Sequence, residues 1–161
     1  MTDASPVDAP AARPSRKTLK EMTGLEQIQA IFAGNRPPAG LPSTLDFDHV
    51  ELIGDRVIIG GTPDERHYNP IGSVHGGYLA SMLDSAVGCA IHARLPAGQG
   101  YTTLELKVSY HRAVTKTTGP IRCEGKVIQL GRRAAFAEAQ IVDLDGKLYA
   151  SASTTCLVFD L

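Results

Sequence analysis

The feature that most constrains this fold is a long helical segment, residues 74–91, which has almost no polar face. Leu, Ala, Met, Val, Ile, Cys and Gly fill most positions around its circumference, and Asp84 is its one carboxylate. A helix that is apolar on nearly all sides is buried in the folded molecule. The rest of the chain must therefore supply a surface that surrounds this helix.

The sequence after this helix predicts only strands. Residues 104–110 alternate between apolar and polar side chains with a period of two, which is typical of a strand with one buried face. Further strands are predicted at about 119–130, 134–143 and 147–159, and Asp145-Gly146 is the turn between the last two. The alanines of the 134–143 strand would let the helix lie close to the sheet.

The sequence before the helix adds a short helix and a hairpin. Residues 23–32 show an amphipathic helical pattern that is ended by Gly34 and Pro37-Pro38. Residues 45–61 read as a strand or hairpin, with Gly54-Asp55 as the turn. Together these elements predict an α+β fold, in which one long central helix is wrapped by an antiparallel sheet of about five to six strands.

Asp84 and the start of the central helix are the candidate chemical groups. A buried ionised carboxylate costs roughly several kcal/mol unless it is compensated, so Asp84 is either satisfied by hydrogen bonds or used as a base or nucleophile. Ser73 is the predicted N-cap. Gly76-Gly77 in the first turn would leave backbone N–H groups open to a ligand oxygen, as in an oxyanion hole. The alternative is that Gly76-Gly77 only forms a tight turn.

The spacing of these groups resembles a family signature. Asn69, Gly72 and His75-Gly76-Gly77, followed by Asp84, resemble the pattern of the PaaI-like acyl-CoA thioesterases of the hotdog-fold superfamily. The resemblance extends from about residue 41 to 159, with further matches at residues 102–108, 119–121, 131–133 and 143–146. One departure is Ala113, where members of the family often have proline.

The resemblance implies a role for each residue of the signature. The Gly76 N–H would bind the thioester carbonyl oxygen, and Asn69 would help to hold that carbonyl or the attacking water. His75 would orient the loop and polarise the same region, or it would only cap the helix. Asp84, contributed by the partner subunit, would be a general base or a nucleophile. Thr103 would share the water with Asp84, or it would be an ordinary strand threonine.

The resemblance also implies the ligands and the assembly. The substrate would be an acyl-CoA, with no metal or redox cofactor, and the acyl group cannot be inferred from the sequence. Arg132 and Arg133 would contact the CoA phosphates, or they would form a solvated hairpin. The protein would be a homodimer with shared active sites, often paired into a homotetramer. The alternative function is a hotdog module that binds acyl-CoA as a sensor without hydrolysing it.

The composition excludes several other classes of function. A net charge of -1 argues against a nucleic-acid partner, and no apolar run is long enough to span a membrane. The five histidines show no metal-ligand spacing, and the three cysteines read as free thiols of a cytoplasmic protein, with a packing role for Cys89. Residues 1–20 lack the apolar core of a secretion signal and are predicted to be a disordered tail before a single domain, 21–161.

Overall fold

The computed structural model describes residues 18–33 and 40–161, as one antiparallel sheet and three α-helices. The helices are α1 (Gly24–Phe32), α2 (Gly40–Thr44) and α3 (Gly76–His92). The strands are β1 (Phe47–Ile53), β2 (Arg56–Gly61), β3 (Gln99–Tyr110), β4 (Ile121–Leu130), β5 (Ala134–Asp143) and β6 (Leu148–Asp160). Three 3-10 turns complete the elements: Leu19–Glu21, Glu65–His67 and Lys116–Thr118.

The six strands pair in the order β1-β2-β4-β5-β6-β3, and every pairing is antiparallel. The predicted hotdog arrangement, a long helix against an antiparallel sheet of five to six strands, is therefore confirmed. The order places β3 at one edge of the sheet, where β6 is its only partner among the described strands. One side of this 12-residue strand therefore presents unpaired backbone groups.

The helix α3 lies against the inner face of the sheet because that face is lined by very small residues. Ala135, Ala137 and Ala139 of β5 are buried, as the sequence predicts. Gly125 of β4 allows the closest approach, since a Cβ atom at this position would lie 2.4 Å from the Ala86 carbonyl oxygen. The backbones of the helix and the sheet thus meet with no side chain between them.

Two predictions about α3 are wrong. The helix is not buried on nearly all sides of the single chain, because Gly77 is exposed and Ser81, Asp84 and Ser85 are half-buried. These residues form a stripe of small and polar side chains on the face of α3 that the sheet does not cover. The N-cap is His75 and not Ser73, because the His75 side chain, rather than that of Ser73, accepts the first-turn hydrogen bond.

The short helix α1 packs against the end of α3. Thr23 and Glu26 form a reciprocal capping box at its start, as is common at helix N-termini. A Cβ on Gly24 would lie 1.7 Å from the His92 carbonyl oxygen, so only glycine fits this contact. The predicted stop signals after this helix and most of the predicted tail, residues 1–17, lie outside the described residues. No helix in the part of the chain that the structure describes is long and apolar enough to cross a membrane.

Candidate active site

Asp84 and Thr103 form the first part of the candidate site. The Thr103 hydroxyl, on the inner face of β3, donates to Asp84 Oδ1 at 3.0 Å. Cys156, the cross-strand neighbour of Thr103, lies behind it with its thiol 3.9 Å from the Thr103 hydroxyl. Thr103 therefore contacts Asp84 directly, and a water shared between the two stays a prediction. The bond holds one carboxylate oxygen and leaves the other available to a ligand or water.

Asn69 shapes the loop that leads into α3. Its Oδ1 accepts hydrogen bonds from the backbone N–H groups of Ile71, at 3.0 Å, and Ser73, at 3.3 Å. Its Nδ2 donates to Ser73 Oγ at 3.1 Å, and Gly72 takes a positive φ of 87° within the turn. One Nδ2 hydrogen has no partner among the described residues, because a side-chain amide carries two. Contact of Asn69 with a carbonyl or water stays a prediction.

His75 is the N-cap of α3. Its Nδ1 accepts a hydrogen bond from the Gly77 N–H at 2.8 Å, and its carbonyl accepts one from Tyr78 at 3.0 Å. The His75 N–H in turn donates to the His67 carbonyl at 2.7 Å, which ties the cap to the loop. Since Nδ1 is an acceptor, the neutral ring carries its proton on Nε2. Helix capping, the alternative role from the sequence, is thus what this side chain performs.

The Gly76 N–H is the first-turn donor to which His75 does not bond. No acceptor within residues 18–33 and 40–161 is bonded to it. It lies at the positive end of the α3 macrodipole, where a bound anion or oxyanion is stabilised. A cleft of about 320 Å³ opens beside it, with Asn69, Gly76 and Tyr110 among its lining residues. The position suits a carbonyl oxygen that gains negative charge during a reaction.

Tyr110, which sequence analysis placed only as a strand residue, completes this end of the site. Its hydroxyl donates to the Gly76 carbonyl oxygen at 2.9 Å, and its ring lies against the Gly76 Cα. The contact joins the last residue of β3 to the first residue of α3. No local sequence signal marks it, because it depends on how the helix crosses the sheet.

The residues of the predicted site fall into two groups in one chain. Asn69, His75 and Gly76 lie together at the cleft, whereas Asp84 and Thr103 lie further along α3. Asp84 comes eight positions after Gly76, which is about 12 Å along the helix axis. One substrate carbonyl cannot contact both, since reacting atoms must lie within about 3–3.5 Å.

Arg132 and Arg133 lie in the turn between β4 and β5, and both are exposed. Neither guanidinium is paired with a carboxylate in the described parts of the chain. Ala134, the next residue, pairs with Leu157 of β6, which also pairs with Thr102 of β3. The turn is therefore level with Thr103 and two strands away, about 10 Å. A phosphate contact stays a prediction.

Burial makes Cys89 and Cys123 poor nucleophiles. Burial raises the pKa of Cys89 to about 11, and the nearby Asp84 carboxylate adds to this effect. Burial also raises the pKa of Cys123. All three cysteines are free, as predicted, and the thiol of Cys89 stays protonated near neutral pH. Among the described residues, no three His, Cys, Asp or Glu side chains gather as a metal site would require.

Known proteins share both the sequence and the fold. The thioesterase superfamily model matches residues 71–150. The proofreading thioesterase EntH of Cronobacter turicensis is 30% identical over 124 residues, which are 76% of this chain and 85% of that protein. The chain therefore belongs to the thioesterase superfamily.

Two solved structures extend this comparison to the fold. A phenylacetic acid degradation-related protein of Ralstonia eutropha JMP134 has a TM-score of 0.73 and 26% identity, covering 81% of this chain and 98% of that one. A single-residue variant of the phenylacetic acid degradation protein PaaI of Thermus thermophilus has a TM-score of 0.65 and 25% identity, covering 74% and 98%. The predicted likeness to PaaI-related thioesterases is confirmed.

Proposed function

We propose that this protein hydrolyses acyl-CoA thioesters to a free acid and CoA, at sites shared between the two subunits of a homodimer. The observation that carries this proposal is the Gly76 N–H, which points from a helix N-terminus and has no acceptor among the described residues. Asp84, with one oxygen held by Thr103, supplies the complementary group. A backbone donor can stabilise the oxyanion of thioester hydrolysis, and a carboxylate can activate the water or attack the carbonyl.

In the general-base form of the reaction, Asp84 takes a proton from water while the water oxygen attacks the thioester carbon. The carbonyl electron pair moves to oxygen, and the Gly76 N–H stabilises the resulting charge. The C–S bond then breaks as the carbonyl re-forms. The sulfur leaves with the bonding pair and receives the proton from Asp84.

In the nucleophilic form, an Asp84 oxygen attacks the thioester carbon and the CoA thiolate leaves. The acyl group and Asp84 then form a mixed anhydride, which water hydrolyses to the acid and a regenerated carboxylate. Single turnover in ¹⁸O-labelled water detects the nucleophilic form when water attacks the Asp84 carbonyl carbon of that anhydride. Only the nucleophilic form can place the label in the Asp84 side chain.

Two features of the chain support a shared site. The unpaired edge of β3 can add a second strand, and the small side chains of Gly77, Ser81 and Ser85 allow a second helix to approach α3 closely. An antiparallel partner helix would place its own Asp84 near the Gly76 of the first chain. The dimer, its pairing into a tetramer and the contact of Arg132 and Arg133 with CoA phosphates are parts of this proposal. So is a cytoplasmic location, on the basis of the free cysteines.

The test is CoA release across a panel of aromatic and aliphatic acyl-CoAs. Asp84→Asn is expected to lower kcat by about 100-fold or more, because a positioned acid-base group is lost, while the fold is retained. Asp145→Asn, in an exposed turn, is the matched carboxylate control and should behave as the wild type. Wild-type turnover by Asp84→Asn would refute the mechanism. Tight binding of acyl-CoA without turnover by the wild type would favour a sensor.

A further inference from the structure

Tyr110 holds the peptide that follows the proposed oxyanion donor. Its hydroxyl donates to the Gly76 carbonyl oxygen at 2.9 Å. A Cβ on Gly76 would lie 3.1 Å from Tyr110 Cζ, so the ring packs directly on the glycine backbone. The N–H of the same peptide, that of Gly77, donates to His75 Nδ1 at 2.8 Å. The Gly76–Gly77 peptide is therefore held at both its oxygen and its nitrogen.

This double restraint matters because glycine has the most backbone freedom of any residue. Two consecutive glycines at a helix start would otherwise sample several orientations of the Gly76 N–H. A donor stabilises a developing oxyanion well only when it is already oriented, since reorientation during the reaction has an energetic cost. His75 and Tyr110 together remove that freedom.

A bulge in β3 makes the contact possible. Thr103 and Tyr110 are seven residues apart, so in a regular strand their side chains would point to opposite faces. The register shifts between Thr103 and Glu105, which leaves Leu104 as an extra residue with 62% of its surface exposed. Both Thr103 and Tyr110 consequently face α3. The same strand thus contacts α3 at two points: Thr103 bonds Asp84, and Tyr110 bonds Gly76.

We propose that Tyr110 is a positioning residue for the oxyanion donor, acting through the Gly76 carbonyl. The proposal rests on the thioesterase function proposed above. It assigns Tyr110 no proton transfer and no contact with the reacting atoms. Its effect should therefore appear in the rate of the chemical step and in the binding of oxyanion mimics, but not in ground-state binding.

The experiment compares Tyr110→Phe, which keeps the ring and removes the hydroxyl, with Tyr149→Phe. Tyr149 is the control because its buried hydroxyl donates to Asp143 at 3.1 Å and not to the Gly76 peptide. Tyr110→Phe is expected to lower kcat roughly tenfold, the scale of one hydrogen bond, with KM within about twofold. Tyr149→Phe should lose thermal stability and keep its kcat.

Binding of two substrate analogues separates positioning from substrate contact. One is a trifluoromethyl ketone analogue of acyl-CoA, whose hydrate mimics the tetrahedral intermediate, and the other is a thioether with no carbonyl. In Tyr110→Phe, affinity for the ketone should fall roughly tenfold, and affinity for the thioether should not change. Equal weakening of both analogues would show direct substrate contact and overturn the proposal.

The outcomes also separate this proposal from the function on which it rests. If the wild type releases CoA and Tyr110→Phe does so at the same rate, Tyr110 has no positioning role and the thioesterase function stands. If the wild type hydrolyses no thioester of the panel, both proposals fail. Circular dichroism of each variant establishes that a lost activity is not a lost fold.

Discussion

At the scale of the residue, the backbone N–H groups in the first turn of α3 differ in their bonding: two are bonded to His75, and one is open to a ligand. His75 satisfies the N–H groups of Gly77 and Tyr78, and Gly76 keeps its own free among the described residues. A cap normally stabilises a helix without selecting a ligand. Here the residue that caps the helix also determines which amide remains available.

Substitution of His75 separates its two proposed roles. His75→Ala removes the cap and should lower the free energy of unfolding by about 1 kcal/mol. His75→Asn supplies another side-chain acceptor and should retain most of that stability. Urea unfolding measures the stability and CoA release the activity.

The activity of the two variants then decides between capping and polarisation. If capping is the whole role, His75→Asn should keep most of the wild-type kcat. A stable His75→Asn variant with a kcat like that of His75→Ala would show that the imidazole itself polarises the carbonyl.

The candidate residues on the helix can be predicted from sequence because their signals are local. A carboxylate in an apolar helix and glycines at its start are visible within the segment 74–91. The sequence favours Ser73 as the cap because serine is a common N-cap. In the structure, however, the Ser73 backbone N–H and hydroxyl are hydrogen-bonded to the Asn69 side chain within the loop. Tyr110 cannot be predicted, since its contact depends on the bulge at Leu104.

At the scale of the element, α3 can pack closely on the sheet because a glycine, which has no side chain, lies beneath it. Gly125 lies under the helix backbone, and a Cβ there would lie 2.4 Å from Ala86 O and 2.5 Å from Ala86 C. Backbone atoms cannot move aside as a flexible side chain can. The position of α3, and with it that of Asp84, therefore depends on this glycine.

Gly125→Ala tests this dependence. The added methyl group should lower the free energy of unfolding by about 1–3 kcal/mol, because it overpacks a rigid contact. Gly40→Ala is the control, since a Cβ there meets nothing within 4 Å, and its stability should stay within about 0.5 kcal/mol of the wild type. Chemical unfolding of both variants is the measurement. Equal stability of the two would show that the helix shifts freely.

The strands are predictable as elements, but their arrangement is not. Alternation and turn residues place the hairpin turn at Gly54-Asp55 and the turn at Asp145-Gly146 correctly. A bulge adds one residue to a strand and so reverses which side chains face the helix after it. The alternation of apolar and polar residues does not show where this happens, so the change of face within β3 is not visible in the sequence. The strand order depends on long-range pairing, which local periodicity does not encode.

At the scale of the whole molecule, the chain holds the two groups of the proposed site, Gly76 and Asp84, about 12 Å apart along one helix. A second copy related by twofold symmetry would present its Asp84 where the first presents Gly76, and the reverse. The half-buried stripe on α3 also fits this model, because its polar residues would be covered only in the dimer.

Mixed dimers test the shared site directly. Asp84→Ala removes the carboxylate, and Gly76→Pro removes the backbone donor while keeping a residue suited to the first helical position. The preceding His75 has a ψ of 135°, which a following proline permits. Each variant alone should be inactive, and mixed dimers should regain up to one working site each. Native mass spectrometry verifies mixing, and circular dichroism verifies the fold.

Two results would contradict the shared site. One is a verified mixed dimer that stays inactive although both parent variants are folded. The other is an active monomer, because it would show that a single chain brings Gly76 and Asp84 to the same carbonyl.

The edge position of β3 has a consequence for synthesis on the ribosome. β3 is made before β4 and β5, yet β6, its one partner in the described sheet, follows them both. A nascent chain that has not reached β6 therefore carries β3 with no neighbour on either side, exposed to misassembly. Thr103 meets Cys156 only when β6 has been made, so in an incomplete chain the Thr103 that bonds Asp84 lies on an unpaired strand.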